Sequence, residues 1–92
     1  MPITIHLSGH LKPFSRGEIE VRLDIGPATV AEALDALFVR HPALRDRVLT
    51  EQGDIRRHIN IFVGSDDVKR LNGTQTAITN KNVHIFNAVS GG

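Results

Sequence analysis

The chain reads as an α+β roll, a mixed four- to five-stranded sheet packed on one main helix. Three observations predict this. Apolar residues alternate with polar ones in several separate stretches, the signature of half-buried strands. One stretch instead carries apolar residues at helical spacing. That stretch falls between the second and third strands, so the predicted order is β-β-α-β-(β)-β.

Ile3, Ile5 and Leu7 alternate with Thr4 and His6 as the first strand. After the turn-rich segment SGHLKPFSRG, Ile19, Val21, Leu23 and Ile25 alternate with Glu20, Arg22 and Asp24. The two strands read as a hairpin with a long loop, all four apolar residues of the second facing the core. In GPATVAEALDALFVRHP, Val30, Ala33, Leu34, Leu37 and Phe38 form a helical stripe. Thr29 and Glu32 form a capping-box pair, and Pro42 ends the helix because the residue before proline avoids the α region. ALRDRVLTEQG predicts a short second helix through Leu44 and Val48, closed by Gly53. Ile59, Ile61 and Val63 mark the third long strand. GSDD reads as a turn, Val68 to Leu71 as a short edge strand and NGTQTAITNKN as a polar loop. Val83 and Ile85 then alternate with His84 and Phe86 in the last strand.

With 92 residues, 40% hydrophobic and 23% charged, the chain suits one small globular domain. A formal net charge of +1 argues against nucleic-acid binding. Without cysteine, disulfides, zinc–thiolate sites and a thiol nucleophile are excluded. No apolar run is long enough to span a membrane and the N-terminus lacks a signal-peptide layout, so a cytoplasmic location is expected. Nucleophile-elbow and phosphate-loop spacings are absent. His6 and His84 fall on strands expected to be neighbours, but two imidazoles without a carboxylate make a weak metal site, and none is predicted.

If the isoleucines and valines face the helix, then His6, Phe62, His84 and Phe86 face the other way. Either loops cover them or they form a docking patch, since clustered exposed aromatics mark partner surfaces. Arg56, Arg57, Lys69 and Arg70 read either as solvated strand edges or as a basic patch for an acidic partner.

The strand order, TVAEALDALFVRHPALRDRVL, DIRRHINIFVGSDDVKRL and the terminal IFNAVSGG together resemble the MoaD/ThiS family of ubiquitin-like sulfur carriers, over nearly the whole chain. The stretch from Arg56 through DDVKRL is most similar to the branch of the cysteine-biosynthesis carrier CysO. The chain departs from the family at Asn87, where proline is usual, and in the Asn80-Lys81-Asn82 turn. Asn tolerates the left-handed conformation, so that turn is expected to survive.

The resemblance implies a β-grasp domain over residues 1–87 and a flexible tail over 88–92, namely Ala88, Val89, Ser90, Gly91 and Gly92. It further implies a carrier with no catalytic residue and no cofactor of its own. An ATP-using, E1-like adenylyltransferase of the MoeB/ThiF type would dock on Phe86, Phe62, His84, His6, Arg56 and Arg57. It would convert the Gly92 carboxylate to an acyl-adenylate, from which a sulfide sulfur displaces AMP to leave a thiocarboxylate. A persulfide sulfur would give an acyl disulfide that a thiol reductant then cleaves to the same group. The sulfur would pass to a biosynthetic enzyme (cysteine or methionine, or a molybdopterin, thiamine or siderophore pathway). A C-terminal processing protease is a further partner; nucleic acid and membrane are not expected.

The residues themselves show that the end is suitable for such chemistry. Glycine has no Cβ, so both flanks of the Gly92 carbonyl stay open and Gly91 is conformationally free. Extended, residues 88–92 reach roughly 17 Å, enough to thread a narrow channel. Two alternatives stay open: a protein modifier joined to lysines through Gly92, and a binding module that uses the sheet face while the tail is idle.

Overall fold

Alternation of apolar side chains builds the sheet, and the computed structural model describes it over residues 2–87. The strands are β1 (Ile3–Leu7), β2 (Glu20–Leu23), β3 (Ile59–Val63), β4 (Asp66–Asp67) and β5 (Asn82–Asn87). They lie in the order β2-β1-β5-β3-β4. β1 and β5 run parallel at the centre; every other neighbouring pair is antiparallel. Two hairpins, one from each end of the chain, are thus joined through a central parallel pair, with α1 (Val30–Arg40) in the connection between them. This is the β-grasp arrangement. The predicted tail, residues 88–92, lies outside the described residues.

One face of the sheet carries Ile3, Ile5, Leu7, Val21, Leu23, Ile59, Ile61, Val63, Val83 and Ile85, all buried. α1 covers it with Val30, Ala33, Leu34 and Leu37, while Phe38 packs half-buried at the rim. The Thr29 half of the predicted capping box forms, its hydroxyl accepting from the Glu32 N–H at 3.3 Å, while the Glu32 carboxylate reaches one residue further back and accepts from the Ala28 N–H at 3.2 Å. The helix stops at Arg40, and His41 before Pro42 is extended at φ −133°, ψ 78°. His41 is itself buried, its Nε2 2.8 Å from Glu18, which ties the helix end to the segment before β2.

Four expectations are corrected. Ile19 and Ile25 are 48% and 38% exposed rather than core. Register explains Ile25: Leu23 already pairs with Ile3, so residue 25 runs past the start of β1. The edge strand is Asp66–Asp67, not Val68 to Leu71, because Gly64 at φ 61° opens a two-residue hairpin loop that pairs Val63 with Asp66. Residues Val68–Arg70 instead form a 3-10 turn that buries Val68.

The second helix, α2 (Arg45–Val48), buries Leu44 and Val48 as expected but ends before Gly53. Leu49 turns extended at ψ 153° and bridges Ile55, leaving Gly53 to close the next turn with its N–H on Thr50 O. Finally, the Asn80–Asn82 turn uses no left-handed asparagine. The Asn80 side chain accepts from the Asn82 N–H at 2.9 Å, an Asx bond that mimics a backbone turn. The loop before it is anchored as well: Thr76 is buried and its carbonyl caps the Val30 N–H at 3.0 Å.

Candidate docking face

Side chains between the core residues point to the other face of the sheet, and strand register lines them up. Glu20 pairs with His6, His6 with His84, His84 with Phe62 and Phe62 with Asp67, so one row crosses all five strands. Flanking it, Asn60 pairs with Phe86 on one side, and Arg22–Thr4–Asn82 lie on the other.

Two aromatic pairs occupy the middle. The His6 and His84 rings stack at 4.5 Å with 15° between planes. Phe62 and Phe86 meet at 5.4 Å and 42°, a tilted contact that suits the ring quadrupoles. All four side chains are half-buried, and neither phenylalanine belongs to the core cluster. The alternation therefore assigns the face as expected, with the qualification that the aromatics shelter one another rather than stand fully in water. His6 is held from both sides: Nε2–H donates to Asn82 Oδ1 at 3.1 Å, and Nδ1 lies 3.8 Å from Glu20. Burial lowers the pKa of His84 from 6.5, and the adjacent His6 lowers it further by opposing a second charge.

Arg56 and Arg57 are exposed just before β3, at the sheet end where β5 runs out, since Ile59 pairs with Asn87. Lys69 lies close to both, and it lines one cleft together with Arg57. The Lys69 ammonium donates to the carbonyls of both, at 3.3 Å and 3.1 Å, while Arg56 faces a cleft on the α2 side and Arg57 a shallower one. Asn60, Asn82, Glu20 and Asp67 share the docking face but were not singled out from sequence. The same period-2 rule reaches Asn60 and Glu20; Asp67 needed the correct position of β4. Asn87 is held by Ser8, whose hydroxyl donates to Asn87 Oδ1 at 3.3 Å, and β5 ends there beside Phe86. Gly92, Gly91, Ser90, Val89 and Ala88 lie outside the described residues.

Such a face can grip an apolar protein surface next to Asn87, the last described residue. Among the described residues, no three His, Cys, Asp or Glu side chains cluster to hold a metal ion. No helix among them is long and apolar enough to cross a membrane.

Comparison with known proteins agrees with this architecture. A model of the ThiS family matches residues 5–92. Small archaeal modifier protein 1 of Haloferax volcanii is 40% identical over 77 residues, covering 83% of this chain and 85% of that protein. Its crystal structure superposes with a TM-score of 0.80 at 33% identity, over 100% of both chains. A chain from the crystal structure of the Amycolatopsis orientalis BexX/CysO complex gives a TM-score of 0.84 at 28% identity, over 98% of this chain and 99% of that one.

Proposed function

The chain belongs to the ThiS family of ubiquitin-like sulfur carriers and modifiers, and from that membership we propose that it carries sulfur on the carboxyl group of Gly92. A carboxylate resists nucleophiles because of its charge. One of its oxygens attacks the α-phosphorus of ATP, the bond to pyrophosphate breaks, and the acyl-adenylate carries AMP as a good leaving group. A sulfide sulfur then attacks the carbonyl carbon and expels AMP, which leaves a thiocarboxylate. A separate adenylyltransferase performs these steps. This chain supplies the unobstructed terminal glycine and the surface by which it is held.

The observation that carries this reading is a family match running through Gly91 and Gly92, on a fold whose last strand ends beside the Phe62–Phe86 pair. The aromatic pair supports docking of the activating enzyme, with His6 and His84 as its polar centre. The likeness to CysO favours a cysteine- or methionine-forming acceptor.

A second reading, modification of other proteins through an isopeptide bond from Gly92 to lysine, is favoured by the 40% identity to small archaeal modifier protein 1. Intact mass of the protein recovered from its own cells separates them. The carrier gains the mass difference of sulfur for oxygen at its C-terminal residue, and the modifier appears in a ladder of heavier conjugates. Recovery of only the unmodified carboxylate from cells starved of sulfur amino acids would exclude both.

A further inference from the structure

A cleft of about 440 Å³ opens at the end of the sheet, walled by His10, Asp46, Arg47, Arg56, His58 and Asn87. Two guanidiniums face one carboxylate, and that carboxylate is already engaged, with Asp46 3.6 Å from Arg45. Both arginines are held in place. The Arg47 guanidinium lies 4.2 Å over the centroid of the Phe14 ring, and Arg56 Nε–H donates to the backbone carbonyl of Asp46. Among the described residues neither forms an ion pair. Asn87, the last described residue and one beyond Phe86, forms one wall, so residues 88–92 follow on from the rim of the cleft.

We propose that this cleft is a second docking element, which seats an acidic segment, bearing aspartate or glutamate, of the enzyme that activates the C-terminus. The inference rests on the sulfur-carrier reading. An enzyme that grips Phe62 and Phe86 and also takes up the residues after Asn87 must sit across Asn87, and therefore over the cleft. Covering two guanidiniums with neutral surface would strip their hydration without compensation; carboxylates restore it and set the register of approach. The aromatic pair supplies non-directional contact area, whereas the arginines aim the exit point of the tail.

The test is carrier-dependent ATP–pyrophosphate exchange by the adenylyltransferase of the same organism, with the full chain, over a series of salt concentrations. The Arg47→Gln/Arg56→Gln double variant is expected to raise KM for the carrier ~10-fold, with kcat unchanged and a flatter dependence on salt. Lys81→Gln removes one charge at the opposite end of β5 and is expected to match the wild type. Should the double variant fold poorly, His58→Glu leaves both guanidinium contacts intact and is also expected to raise KM. Unchanged KM and salt dependence in these variants would overturn the inference alone. A lowered KM would also overturn it, by showing that the arginines hold the chain's own terminal carboxylate in check. If the wild type supports no exchange at all, the sulfur-carrier reading falls and this inference with it.

Discussion

His84 sits at the centre of the candidate docking face, stacked on His6, with Glu20 beyond His6 and Phe62 on its other flank. Partial burial disfavours its charged form, and a neighbouring imidazole adds to the penalty, so its pKa falls below 6.5. The sign of the linkage follows. Between the lowered native pKa and 6.5 the unfolded chain binds more protons than the folded one. Stability is therefore full above about pH 6.5, falls as the pH drops through that window, and levels off below the native pKa. Urea unfolding across the weakly acidic range is expected to show this decline, and His84→Gln to remove its share of it. At Gly64, by contrast, the backbone strongly favours glycine. Its φ is 61°, and an added Cβ would meet the Asn80 side chain at 2.7 Å.

The elements were legible wherever a period had room to repeat. Val30, Ala33, Leu34 and Leu37 announce α1 because four buried positions at helical spacing leave little ambiguity, and Thr29 with Glu32 marks its start. Thr29→Ala is expected to cost ~1 kcal/mol in chemical denaturation, by freeing the Glu32 N–H, with no change in the fold. Failures came where the signal is short or depends on a partner. A two-residue strand such as Asp66–Asp67 carries no alternation, so its place was set by the Gly64 turn and the pairing with β3. Ile25 extends the alternation of β2, but a single strand does not reveal where its neighbour ends, and Ile19 is exposed although its carbonyl still accepts from the Leu7 N–H. Leu49 was read as helix although its pairing with Ile55 pulls it extended.

At the scale of the molecule, the docking face was legible because it is the complement of the core. Once Ile61 and Ile85 face α1, Phe62 and Phe86 must face away. The cleft was not, since its walls come from segments around residues 10, 46, 56 and 87 that only the folded sheet end brings together. On the proposed reading the outward face docks a partner while the inward face holds the fold, and substitution should show it. Phe86→Ala is expected to weaken binding to the activating enzyme ~10-fold or more, while thermal and urea unfolding lose only ~1 kcal/mol, the worth of one aromatic contact. A loss of ~3 kcal/mol or more would mean instead that the ring is core. The compact body, on this account, exists to present the carbonyl of Gly92 without obstruction. The most direct measurement is sulfur loading in a reconstituted reaction with adenylyltransferase, ATP and sulfide, read by mass of the C-terminal peptide. The chain ending at Gly92 should exchange one oxygen for sulfur at that residue. The same chain with one leucine appended after Gly92, and no trimming protease present, should remain unloaded. Equal loading of both would contradict the account.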